Sequence, residues 1–191
     1  MSTVVVVRKK GLAAIGADTL TKLGYTNERK KYVRNYSKML KIGRSHLAYV
    51  GHASWGLILE SYFEKFRPKP ALDSPRAIFE VMRGLHKTLK EEYFLRPEEQ
   101  EDDPFESSQV DFLVANTSGI YGLCSLRSVE EYTRFYAFGS GSKFALGAMR
   151  VAYPSHASAR AVARAGLEAA CDFDDGSALP WEIRTVRLRE R

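Results

Sequence analysis

Apolar positions along this chain follow two periods, and the switch between them marks out its elements. Residues 4–7 are four consecutive valines, Lys9-Lys10-Gly11 supply turn chemistry, and residues 12–15 are again mostly apolar, which predicts a β-hairpin with no leader before it. A basic stretch over 28–44 follows, and then a short apolar strand over 47–50 that ends at Gly51. Trp55, Ile58, Leu59, Tyr62, Phe63 and Phe66 recur at steps of three and four, so they share one helical face until Arg67-Pro68-Lys69-Pro70 stops it. Ser74-Pro75 offers an N-cap and a first-turn proline to a second helix whose inner stripe is Ile78, Met82, Leu85 and Leu89. The acidic segment 98–106 is too polar to pack and reads as an exposed loop. Strands over 110–115 and 120–124 flank Asn116-Thr117-Ser118-Gly119, and another strand is expected over 134–138. Gly139-Ser140-Gly141-Ser142 turns that strand into an alanine-rich helix through Arg150. A further helix over 158–171 puts Val162, Ala163, Leu167 and Ala170 inward, 172–177 is a loop, and 181–188 is a last strand. Strands, two helices, strands, two helices and a strand predict an α+β fold, two stacked sheets between two helical layers. No repeat or linker interrupts the chain, so one domain is expected over 1–191.

Composition narrows the class without choosing a function. The 191 residues are 45% hydrophobic and 27% charged, with Gly 14 and Pro 7, which excludes a collagen-like, disordered or coiled-coil chain. No apolar run approaches the about 18 residues of a membrane span, and Arg8, Lys9 and Lys10 follow the apolar start where a secretory signal has its cations in front. Cys124 and Cys171 are too few for a disulfide framework or a metal cluster, and a reducing, cytoplasmic setting is expected. His46, His52, His86 and His156 have no ligand spacing, so neither metal nor cofactor is called for. The net charge of +6 is concentrated at Arg29, Lys30, Lys31, Arg34, Lys38, Lys41 and Arg44, interleaved with Tyr32 and Tyr36. Such a run is compatible with a nucleic-acid backbone, but more often it is a solvated or subunit-facing surface. The stretch 139–143 lacks the third glycine of a dinucleotide fingerprint and the glycine before the lysine of a phosphate loop.

The candidate chemistry lies at the front. Serine after Met1 is small enough for initiator-methionine removal, and a terminal serine carries both a nucleophile and its base. An α-amine with a pKa of about 8 is partly neutral at physiological pH and can take the hydroxyl proton. The opening Ser2-Thr3-Val4-Val5-Val6-Val7-Arg8, with Gly11 and Gly16-Ala17-Asp18, resembles that of proteasome β-subunits and their bacterial homologues, the N-terminal-nucleophile peptidases. The interval from Ser2 to Asp18 matches that family's interval from nucleophile to aspartate. Ser37-Lys38-Met39-Leu40-Lys41-Ile42 is similar to its catalytic-lysine strand and Val50-Gly51-His52-Ala53 to its oxyanion turn. Residues 138–145 resemble its Gly-Ser-Gly helix entry, and Cys171-Asp172 with Asp175-Gly176 falls where an Asp-x-x-Ser-Gly loop is expected.

The resemblance implies a four-layer αββα sandwich and peptide-bond hydrolysis through an acyl-enzyme on Ser2. It implies a lysine, Lys38, beside the nucleophile and held by Asp18, an oxyanion donor at Gly51, and Ser140 with Asp172 orienting the amine. Thr21 and Tyr49 would line the substrate pocket. Lys41 lies too near Gly51 to serve in place of Lys38. Serine stands where threonine is usual, so the methyl group that restricts χ1 is missing and slow turnover of long peptides is expected. The chain from Asp18 to Lys38 is a few residues longer than usual, which is assigned to a loop over 24–28. Asp175 occupies the family's serine position and would place a negative charge near the amine. With only Met1 before the first strand, a β-type subunit is expected over a non-catalytic α-type one. Self-assembly into a stacked double ring, heptameric in preference to hexameric, is implied, with an ATP-dependent unfoldase as a further partner. The alternatives are a ring-forming scaffold that retains Met1 or lacks activity, and, from another class, a basic nucleic-acid-binding module whose binding falls steeply with salt.

Overall fold

A computed structural model describes residues 2–96, 103–155 and 157–189. In chain order the elements are β1 (Thr3–Lys9), β2 (Leu12–Asp18), β3 (Thr21–Leu23), β4 (Thr26–Glu28), β5 (Met39–Ile42), β6 (Ser45–Val50), α1 (Trp55–Glu64), α2 (Pro75–Glu92), β7 (Asp111–Ala115), β8 (Ile120–Leu123), β9 (Val129–Tyr132), β10 (Phe135–Gly139), α3 (Ser142–Ser155), α4 (Ala159–Phe173) and β11 (Trp181–Arg187). One sheet has the order β10-β1-β2-β11, a second β5-β6-β7-β8-β9, and β3 and β4 form a two-stranded ribbon.

The valine run of β1 explains the layering. Val5 and Val7 face α3 and α4 together with Ala14, Met149, Val162 and Leu167. Val4 and Val6 point the other way, into a layer shared with Ile15, Ala48, Leu113 and Ile120 of the second sheet. A strand buried on both faces has no polar side to show, which is why the run does not alternate. The second sheet's outer face, carrying Leu47, Phe112 and Tyr121, meets Leu59, Ile78, Met82 and Leu85 of α1 and α2. This is the four-layer αββα sandwich. Each fully buried Val, Leu or Ile contributes about 1.5–3 kcal/mol relative to exposure. Helix α2 starts where Ser74 accepts from the Ala77 N–H at 3.3 Å, a cap of about 1 kcal/mol.

Several boundaries differ from expectation. The segment over 24–28 is no plain loop: Gly24, at φ +60°, turns β3 into β4. Helix α1 ends at Glu64, although Phe66 still packs on its core. Helix α3 continues past Arg150 to Ser155, and α4 past Cys171 to Phe173. β9 was not expected, because an edge strand reading Val-Glu-Glu-Tyr buries little and shows no apolar alternation. Of the acidic segment 98–106, residues 98–102 lie outside the described residues, and the remainder is irregular chain tied down through Glu106. Among the described residues no helix is long and apolar enough to cross a membrane.

Candidate active site

The start of β1, the ends of β2, β6 and β10, and the loop after α4 meet at one edge of the sandwich. Ser2 lies there, 4% exposed, with its carbonyl accepting from the Ser140 N–H at 2.9 Å. That contact needs Gly139, which pairs with Thr3 at φ +102°: any Cβ there would collide with the Ser2 carbonyl.

Asp18 ends β2 with no exposed surface. Its Oδ1 accepts from the Thr3 N–H at 2.9 Å and from Lys38 Nζ at 2.7 Å. Its Oδ2 accepts from the N–H groups of Leu20 at 2.9 Å and Ala178 at 3.4 Å. These donors satisfy a carboxylate that burial alone would disfavour. Lys38, 7% exposed, is fixed from behind because its carbonyl accepts from the Tyr49 N–H at 3.1 Å. Burial pulls the Lys38 pKa below the usual lysine value, against the opposing pull of Asp18. Cys171 is close enough to feel the same pair, and burial, reinforced by Asp18 and Asp172, pushes its thiol up to about 12. The thiol is therefore protonated at any working pH and is no competing nucleophile.

On the other side of Ser2 the Ser140 hydroxyl donates to Asp174 Oδ2 at 2.8 Å. Ser177 donates to the same oxygen at 2.7 Å and shares a 2.7 Å hydrogen bond with the Thr3 hydroxyl. This corrects the assignment of Asp172, which is exposed on the last turn of α4, whereas the partner of Ser140 is Asp174. Asp174 is the C-cap, and its extended backbone (φ −104°, ψ 120°) takes the carboxylate off the helix and into the site. The Asp-x-x-Ser interval is thus Asp174 to Ser177, two positions later than read from the sequence. Asp175 does not stand in the serine's place: its side chain is 81% exposed and pairs with Lys22 at 2.9 Å. The acidic repetition Asp172, Asp174, Asp175 hid this phase, and Ser177 three residues after Asp174 was the signal that would have set it.

Ser2, Lys38, Gly51, Thr21, Tyr49 and Leu20 border a common cleft of about 60 Å³. Tyr49 limits it: the phenol oxygen would lie 2.7 Å from a Cβ at Gly56, so the ring fills the space against α1. Burial, with Glu60 nearby, pushes the Tyr49 hydroxyl up to about 12, so it is a neutral wall. Gly51 has φ +154°, and the indole of Trp55 and the carbonyl of Gln109 lie against its α-carbon. Lys38 turns inward to Asp18, while Lys30 and Lys31 rest on the rings of Tyr36 and Tyr32.

No family sequence model matches the chain, and a search of curated protein sequences gives no match. Among solved structures it superposes on Thiobacillus denitrificans BPH with a TM-score of 0.94 at 45% identity, over 99% of this chain and 100% of that one. The same protein in complex with epoxomicin gives 0.93 at 45%, over 98% and 100%. Eukaryotic HslV from Trypanosoma brucei gives 0.71 at 20% identity, over 97% and 99%, a likeness of fold. Identity of that degree along the whole length of a bacterial proteasome homologue, on the same layered fold, shows that the chain belongs to the proteasome β-subunit-like family.

Proposed function

We propose that the chain is an N-terminal serine endopeptidase of the proteasome type, working from Ser2 once Met1 has been removed. The observation that carries this reading is the meeting of Ser2, Asp18, Lys38, Ser140, Asp174 and Ser177 at the start of β1. The epoxomicin complex of the 45% identical relative supports it, since that protein takes its ligand on the same fold.

In the proposed cycle Ser2 Oγ attacks the substrate carbonyl and its proton passes to the Ser2 amine. The Lys38 ammonium favours the alkoxide and keeps the adjacent amine neutral, while Asp18 holds that lysine in place. Negative charge developing on the carbonyl oxygen faces the Gly51 N–H, where one aligned donor is worth about 3 kcal/mol. Collapse breaks the peptide bond, the leaving amine takes the proton back, and an ester remains on Ser2. Water, deprotonated by the same amine, hydrolyses the ester and restores the site. The Ser140-Asp174-Ser177 network orients the amine. The cleft beside Tyr49 and Thr21 is short, which favours small side chains before the cut bond.

The assembly is a homo-oligomeric double ring, heptameric in preference to hexameric, with substrate delivered by an ATP-dependent unfoldase in the cytoplasm. Phe144 and Phe173, their rings tilted against each other with centroids 5.7 Å apart and both exposed on the outer helical layer, support self-association. The test is the intact mass of the untagged protein before and after a peptide epoxyketone, which reacts with a hydroxyl and a free amine on the same residue. Loss of Met1 and one adduct per chain on Ser2 is expected. Retained Met1, or a free Ser2 without adduct, refutes a working nucleophile and leaves a ring-forming scaffold.

A further inference from the structure

A second polar cluster lies on α2, away from Ser2. Glu106, on the chain leading back to β7, meets Lys90 Nζ at 2.6 Å and His86 Nε2 at 3.3 Å, and its carbonyl accepts from Arg127 at 2.7 Å. Ser108, two residues on and 4% exposed, lies 3.0 Å from the other imidazole nitrogen, His86 Nδ1, and accepts from Arg127 at 3.1 Å. Serine, histidine and glutamate in this order have the make-up of a hydrolytic relay, but the burial of Ser108 closes it to any substrate. The proton inventory instead describes a latch. Arg127 donates to Ser108, Ser108 shares a hydrogen bond with Nδ1, and Nε2 shares one with Glu106, so every member of the cluster has a partner.

What the latch holds is the next residue. Gln109 has φ +55°, a left-handed conformation that is unfavourable for a non-glycine residue and persists only where neighbours impose it. Its N–H donates to Ser107 Oγ at 3.0 Å and its side-chain amide to the Arg96 carbonyl. Its own carbonyl faces Gly51, where an added Cβ would come within 3.2 Å of it. The reason is topological: β6 and β7 stop pairing at Val50 and Asp111, so residues 51–54 and 107–110 leave the sheet side by side.

We propose that Glu106 is a positioning residue for peptide hydrolysis: gripped by Lys90, His86 and Arg127, it sets the Gln109 carbonyl against Gly51 and so aims the Gly51 N–H at the oxyanion. This rests on the assignment of Ser2 as nucleophile. Gly51 acts on charge that exists only in the transition state, so a loosened latch lowers kcat and spares KM.

The test is steady-state hydrolysis of a fluorogenic peptide, with epoxyketone adduct formation, by the full-length chain as wild type, E106Q, E106D and K65Q. The last breaks the exposed Lys65–Glu92 pair elsewhere on the helical layer. Expected is a roughly tenfold loss of kcat in E106Q with KM within twofold and unchanged Tm and elution volume. E106D, which keeps the charge for Lys90 to follow, recovers kcat to within about threefold of wild type, and K65Q behaves as wild type. If E106Q misfolds, K90Q weakens the same grip and is expected to show the same split. Wild-type kcat in a folded E106Q or K90Q, or a loss that tracks the folded fraction, overturns the proposal alone. A wild type that neither cleaves nor takes an adduct overturns the Ser2 assignment and this proposal together.

Discussion

Replacing Asp18 by asparagine tests the electrostatic centre of the site. The carboxylate has no exposed surface and accepts from three backbone N–H groups besides Lys38. In the amide one oxygen becomes a donor, so at least one buried N–H facing it loses its acceptor, at about 1–3 kcal/mol. The Lys38 ammonium also loses its partner, and breaking a buried pair from one side costs about 3–5 kcal/mol. Lysine can escape part of that by deprotonating, at about 1.4 kcal/mol for each pH unit between the buffer and its pKa. Together these put the loss near 4 kcal/mol at pH 7. At about 2–4 °C per kcal/mol for a chain of this size, Tm should fall by roughly 8–16 °C. The sign of the pH dependence follows from Lys38. Its folded pKa lies below 10.5, so between the two values the unfolded chain binds more protons and stability rises with pH. Without Asp18, the pull that raises the lysine is gone, and that window extends further toward neutrality. The gap between D18N and wild type should therefore narrow by about half from pH 7 to pH 10, leaving the orphaned N–H. Thermal melts by circular dichroism at both pH values, at one protein concentration, measure it. A Tm within 2 °C of wild type at pH 7, or an equal gap at both pH values, would refute the reasoning.

Three further outcomes are expected. D174N should lower kcat at least tenfold while D172N stays within twofold of wild type; equal effects in peptide hydrolysis would return the role to the helix. Tyr49→Ala should raise kcat/KM about tenfold for peptides with phenylalanine or leucine before the cut bond relative to alanine, and an unchanged preference would remove Tyr49 from the pocket. Iodoacetamide at pH 8 should leave Cys171 unmodified by peptide mapping and activity intact, because a thiol pushed up to about 12 has little thiolate; modification within minutes would contradict this.

How far the sequence could be read depended on whether one local pattern had one physical meaning. The four valines of β1 admitted only a strand covered on both faces, and the stripe from Ile78 to Leu89 only a helix with one buried side. Ser74-Pro75 marked the start of that helix because cap and first-turn proline constrain the same residues. The edge strand β9 carried no such mark, since an edge buries one side lightly and its glutamates look like loop. At the site the difficulty was phase. Successive helical residues turn by about 100°, so Asp172 and Asp174, equivalent by composition, project in different directions, and the outcome depends on where α4 ends. The helix end is set by packing of Leu167 and Ala170 beneath it and by the Asp174 N–H bonding back to the Ala170 carbonyl, neither of which has a local sequence signature. The Glu106 latch was hidden for a different reason. His86, Glu106, Ser108 and Arg127 come from three separate segments, and only the closing of β7 and β8 onto α2 makes them neighbours. Spacing rules therefore reach residues that share one element, such as Ser2 and its own amine, and lose those that tertiary packing brings to it.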